Sequence, residues 1–325
     1  MTVLFKDGVR LLLCVIVAWA ASQAGAQTYP ARPVRIVVPY PPGGGLDVTA
    51  RIVAVKLAEL LRQNVIVDNR PGAGGTVGTD HVAKSAPDGY TLLLAGRGPI
   101  AAGPLVYPNL PYVPSKDLAP VSRMVTFPYI LVVHPSVPAH NAKELIALAR
   151  ANPSKLNMAS GGAGGGQHIA GELFNILART KMTHIPYKGT GPATIDIMGG
   201  HADLGFLDPA VLPHVKTGRL RAIGVSSRAR YEPHPEIPPI HESGLPGYDW
   251  NTWYALFAPA GVPTTVLEQL NKTIGQALQQ PELRQKLVAA GLMAAHSSAD
   301  ELRANVAQDG ELLARVVKEA HVTLN

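Results

Sequence analysis

The chain has 325 residues, 46% hydrophobic and 16% charged, with a formal net charge of +6. That length can bury a sizeable core without disulfide staples and favours two lobes over a single core. Its 29 lysines and arginines form no run of five and alternate with no aromatic residues, which argues against nucleic acid as a partner.

The first element is a targeting segment. Lys6 and Arg10 precede an apolar run over 11–21, and Ala24-Gly25-Ala26 fits small-x-small cleavage before Gln27. The run is shorter than the roughly 20 residues that span a bilayer. The expectation is therefore a signal peptide over 1–26 and an exported chain. Cys14, the only cysteine, lies inside it and precedes the apolar run's end, which does not suit lipid attachment. Loss of two cations and one acid with the segment leaves a charge of +5.

From there short apolar runs alternate with helical patterns, the signature of α/β layers built on mainly parallel sheets. Strands are predicted over 34–38, 65–67, 91–95, 130–134, 156–159, 183–187, 203–207, 221–226 and 254–258. Helices are predicted over 48–62, 142–151, 168–178, 266–279 and 300–319. Proline-rich stretches over 107–120 and 231–246 read as ordered connectors. No fixed-period repeat or coiled-coil heptad occurs.

Two loops share one layout. PYPPGGGLD joins the strand RPVRIVV to the helix at 48–62, and GGAGGG joins LNMAS to the helix at 168–178. A glycine turn from strand into helix directs free N–H groups and the positive end of a helix dipole forward. Each loop alone could be no more than a tight turn. One loop per lobe, facing across a cleft, could hold a carboxylate through backbone donors without a cationic side chain.

The candidate side chains each have a plainer reading. Asp47 would repel an anion, so a helix N-cap is favoured over an acceptor for a guest's ammonium, hydroxyl or bridging water. Ser160 either bonds a guest or ends its strand; His168 suits a cap or packing role better than that of a base. Arg97, among small residues after the third strand, is a fork for a second carboxylate or a solvated surface cation. Asp208 faces the cleft or caps the segment after it. Trp250, Trp253 and Tyr254 suit core or hinge packing at a lobe crossing. No G-x-S-x-G, H-E-x-x-H or G-x-x-x-x-G-K-[ST] pattern occurs, and the 11 histidines form no helical i, i+4 pair. Neither catalysis nor a metal site is indicated.

Six dispersed stretches carry a family resemblance: YPARPVRIVVPYPPGGGLDVTAR, VDNRPGAGGTVGTDHVAKSAPDGYTLLLA, HIPYKGTGPA, GRLRAIGVSS, ESGLPGY and WYALFAPAGVP. In this order they resemble the Bug-type, TctC-like extracytoplasmic receptors of tripartite tricarboxylate transporters. The resemblance implies a two-lobed periplasmic-binding-protein fold of the Venus-flytrap kind, with a discontinuous first lobe over 27–126 and 251–325 and a second over 127–250. It further implies a small organic carboxylate as guest, a membrane permease as partner, a monomer, and no cofactor. Carried over by position, the first loop supplies Tyr40, Gly43, Gly44, Gly45, Leu46 and Asp47. The second supplies Ser160, Gly161, Gly165, Gly166, Gln167 and His168. Leu46 stands where relatives often carry a small hydroxyl residue, Arg97 stands in a loop usually rich in serine and threonine, and the segment carrying Asp208 is about one residue short. Leu46 and Arg97 are thus expected to set preference, for an apolar body with a second acidic end. Two rival outputs remain: presentation of the guest to a sensor kinase, and an exported hydrolase or lyase using Ser160 or His168.

Overall fold

The computed structural model describes residues 29–320. The predicted signal peptide lies outside these residues. Two mixed sheets, each flanked by helices, form the framework.

The first sheet has six strands in the order β11-β4-β10-β3-β1-β2. Strand β1 (Val34–Val38) runs parallel to β2 (Val65–Asn69) and β3 (Thr91–Ala95). Helix α1 (Gly45–Leu61) returns the chain between β1 and β2, burying Ala50, Val53, Ala54, Leu57 and Leu61 at helical spacing. Helix α2 (Thr76–Ala83) does the same before β3. Two short helices, α3 (Gly103–Val106) and α4 (Pro114–Asp117), lead to β4 (Leu118–Pro128). The chain then passes through Tyr129 into β5 (Ile130–Val133) of the second sheet.

That sheet has the order β7-β6-β8-β5-β9. Its strands β6 (Asn157–Ser160), β7 (Thr183–Pro186), β8 (Leu204–Leu207) and β9 (Arg221–Val225) alternate with α5 (Ala142–Ala151), α6 (Gly166–Ala178), α7 (Thr190–Met198) and α8 (Leu212–Lys216). After Trp250 the chain returns as β10 (Asn251–Pro259), which inserts between β3 and β4. Helices α9 (Thr264–Gln279) and α10 (Pro281–Ala289), the short β11 (Met293–Ala294) and α11 (Ala299–Glu319) complete the first sheet's cover.

The sheets are mixed, not mainly parallel as expected. Parallel pairing holds for β2-β1-β3 and for β7-β6-β8, where helices make each return. The strands next to the crossings pair antiparallel, because β4 leaves the first sheet at its far end and β10 comes back the other way. Strand β4 was not foreseen, since Pro120 and Pro128 mask it. Pro120 is tolerated at a register shift opposite Phe257, where a missing N–H breaks no regular ladder bond. Helices α2, α7 and α10 were also missed; α7 and α10 carry proline in the first turn, where no intrahelical donor is lost.

Candidate functional site

Both glycine loops become helix starts. Helix α1 begins three residues earlier than its apolar period suggests, with Gly44 as N-cap at φ −86° and ψ 169°. Helix α6 begins at Gly166, with Gly165 as N-cap at φ −72° and ψ 162°. Neither cap has a side chain to offer, so first-turn N–H groups stay available to whatever sits in front. The two helix starts belong to different sheets and line one cleft of about 570 Å³, its mouth included.

Tyr40, Gly44, Gly45, Leu46, Asp47, Arg97, Gly161, Gly165, Gly166, Gln167 and Asp208 all line this cleft. Gly43, Ser160 and His168 do not. Gly43 turns the chain at φ +90° and donates its N–H to Asp47 Oδ2 at 3.0 Å. Ser160 is wholly buried behind its loop, where its Oγ donates to Gly162 O and meets His184 Nε2 at 2.6 Å. His168 faces backwards: its Nδ1 accepts from Gly164 N–H at 3.0 Å, and its ring stacks on that of His184 at 3.6 Å. Burial, with His168 alongside, lowers the His184 pKa to about 3, so the His184 ring is a neutral support beneath the loop.

The glycines also serve a purpose that sequence did not suggest: they let the two lobes' loops approach. A Cβ on Gly45 would lie 2.8 Å from Asp208 Cγ and 2.8 Å from Tyr254 Oη. One on Gly74 would lie 2.9 Å from Ala163 O, and one on Gly189 would lie 2.7 Å from Pro41 Cδ. Tyr107 Oη reaches across to Ala163 O at 3.0 Å. Any side chain at these glycines would wedge the cleft open.

Asp47 is not the N-cap. It occupies the third helical position and reaches back to Gly43, while Arg51 lies 2.9 Å away and Asn69 Nδ2 donates at 3.0 Å. Burial alone would raise its carboxyl. The bonds from Arg51, Gly43 and Asn69 outweigh that and hold it below the usual carboxylate range. Asn69 also donates to Tyr40 O, which ties strand β2 to the loop. Asp47 therefore shapes the first loop and is already neutralised.

Arg97 is likewise spoken for: it is neither the fork for a second carboxylate nor the solvated surface cation that its sequence context allowed. Its Nε and Nη2 grip Asp309 at 2.8 and 2.6 Å, and its guanidinium lies 4.7 Å from the Trp250 ring centroid. Trp253 Nε1 donates to the same carboxylate at 2.7 Å. With side chains only 11% and 10% exposed, the pair is an internal strut between β3 and α11.

Asp208 does face the cleft. It follows β8 and is 1% exposed. Ala210 N–H donates to its Oδ1 at 3.3 Å, and Thr190 and Gly45 lie against it, a Cβ on Gly45 falling 2.8 Å from its Cγ. Burial still pushes its carboxyl up. Thr190 Oγ1 in turn accepts from Gln167 Nε2 at 2.8 Å, and Gln167 Oε1 accepts from Gly161 N–H at 2.6 Å. A chain of neutral groups thus runs from the second loop through Gln167 to Thr190, beside Asp208. Sequence reasoning missed Thr190, Tyr129 and Thr252 as lining residues and read Tyr254 as packing only. Tyr129 and Tyr254 are buried with their hydroxyls raised, first by desolvation and then by nearby Asp208. Their position beside the crossings was the one signal pointing to them.

Two α/β sheets joined by two crossings, with a cleft between opposed helix starts, define a two-lobed binding protein. Residues 49–321 match the tripartite tricarboxylate transporter family receptor (TctC), and the chain belongs to this family. Protein BugT of Bordetella pertussis is 39% identical over 313 residues, covering 95% of this chain and 96% of BugT. A solved R. palustris protein with adipate is 32% identical at a TM-score of 0.88, covering 91% of this chain and 100% of that one. MatC from Rhodopseudomonas palustris, with bound malate, is 30% identical at a TM-score of 0.84 and covers 89% and 100%. The periplasmic binding protein BugD superimposes at 0.86 with 32% identity.

Proposed function

We propose that this chain is a periplasmic solute receptor that closes on a small organic carboxylate and delivers it to a tripartite-type membrane permease. The observation that carries this reading is the convergence of two uncapped helix starts, one from each lobe, on a single cleft. A guest whose carboxylate sits at one start and whose body meets the loop of the other touches both lobes at once, so it favours the closed arrangement over the open one. The hinge is assigned to the crossings at Tyr129 and Trp250, dividing the described chain into 29–128 with 251–320 and 129–250. Relatives of the same fold solved with adipate and with malate support the ligand class. The predicted signal peptide supports export, and among the described residues no helix is long and apolar enough to cross a membrane.

The mechanism needs no chemistry on the guest. Among the described residues no cluster of three His, Cys, Asp or Glu could hold a metal ion, and Ser160 and His168 point away from the cleft. Thermal-shift screening against a carboxylate library, followed by calorimetric titration, tests the reading. A rise in Tm with selected acids is expected, because a ligand bound only by the folded state stabilises it. No rise with any carboxylate would remove the reading.

A further inference from the structure

Two aspartates and one arginine line the cleft, and they are not equivalent. Asp47 has Arg51 at 2.9 Å, and Arg97 has Asp309 at 2.6 Å. Asp208 has no cation within ion-pair reach among the described residues; Ala210 N–H donates to it, and its neighbours Thr190 and Gly45 are neutral. The cleft therefore contains no uncompensated cation and one uncompensated acid. Its position compounds the effect, because the Asp208 carboxyl packs against Gly45 at the start of α1, 2.8 Å from where a Cβ there would stand. The protein's own acid already occupies the anion corner of the first lobe.

The second corner differs. Its loop N–H groups are organised by the neutral acceptors Gln167 Oε1, Ser160 Oγ and His168 Nδ1. The first-turn N–H groups of α6 at Gly166, Gln167 and His168 have no intrahelical acceptor. A guest's carboxylate belongs there.

We propose that Asp208 selects the class of guest: an acid with one carboxylate, seated at the start of α6, whose other end carries a hydrogen-bond donor, hydroxyl or ammonium, directed at Asp208. A second carboxylate at that end would meet a like charge in a desolvated space, with Arg97 unable to offset it because its charge is spent on Asp309. This inference rests on the receptor reading, and it reverses the preference for a second acidic end expected from Arg97. Leu46 adds apolar lining to the cleft.

The test uses matched acids in series of about four to eight carbons, so that length is scanned along with end group: the alkanoate, the ω-hydroxy acid, the ω-amino acid and the α,ω-dicarboxylate. Each is titrated calorimetrically into the full mature protein. At the best-fitting length the hydroxy or amino acid is expected to bind more than about tenfold tighter than the dicarboxylate, a difference of roughly 1.4 kcal/mol. The two donor acids compared with each other show which donor is preferred. In Asp208→Asn the ratio should collapse towards unity. A smaller ratio in the unaltered protein overturns the inference without needing any variant, and so does rejection of the dicarboxylate that persists in Asp208→Asn. If no member of any series binds, the receptor reading itself has failed, an outcome recognisable from the absence of any Tm shift.

Discussion

The two glycine loops look alike in sequence and behave differently in the folded chain. The first, before α1, is built on acids: Asp47 organises it from within, and Asp208 reaches it from the other lobe. The second, before α6, is built on neutral acceptors. Helix starts of similar intrinsic polarity thus end up with opposite roles. One is self-compensated and gives shape, while the other keeps its positive end for an incoming anion. Similar local geometry does not make equivalent sites; the charges that tertiary structure brings to each helix start decide what it can bind.

The contrast can be broken most severely from outside both loops. Asp309→Ala leaves the Arg97 guanidinium and the Trp253 indole N–H without their acceptor. A loss of about 3–5 kcal/mol of stability is expected, as for other buried pairs that lose one partner. Chemical denaturation would measure it, and a loss under about 1 kcal/mol would show that the strut is not buried in solution.

Next in size is Gly45→Ala. The new methyl would fall against Asp208 and Tyr254, opposing closure by about 1–3 kcal/mol and weakening carboxylate binding by roughly 5- to 150-fold. Gly43→Ala, by contrast, meets nothing within 4 Å. It should lower stability through its φ of +90° while disturbing closure less. Equal binding losses in the two variants would contradict the account of glycine as the means of lobe approach.

The support beneath the second loop should be visible as a pH effect. His184 has a folded pKa of about 3 against an ordinary value near 6.5. Above pH 6.5 it is neutral in both states. As pH falls from 6.5 towards 3 the unfolded chain takes up the proton first, so stability is lost across that window. His184→Asn should flatten the fall in Tm between pH 7 and pH 4.5 by the equivalent of about 2–3 kcal/mol. An unchanged slope would place the ring in solvent.

The smallest effect is expected at Tyr40→Phe. The Tyr40 hydroxyl donates to Gly74 O at 2.8 Å, and its loss should cost about 1 kcal/mol. Carboxylate affinity should hold within about threefold, because the hydroxyl is committed to the first lobe's own backbone. A much larger loss would make Tyr40 a direct contact to the guest.

Much of this was legible in the amino-acid order. Helical spacing of Ala50, Val53, Leu57 and Leu61 gave away α1, and paired strand–glycine–helix layouts marked the two loops, since periodicity and glycine conformational freedom are local properties. The helix starts were misplaced by two or three residues because glycine carries no apolar signal. Strand β4 was hidden by prolines whose harmlessness depends on their partner strand.

What the chain by itself determined is the alternation of strands and helices, the two glycine turns and the supply of backbone donors at their helix starts. Which donors remain free was settled only by folding. Arg97 meets Asp309 across 212 residues, and Asp208 meets Gly45 from the opposite sheet. Charge compensation is a matter of ångströms, and separation along a chain says nothing about distance until the sheets have been assembled.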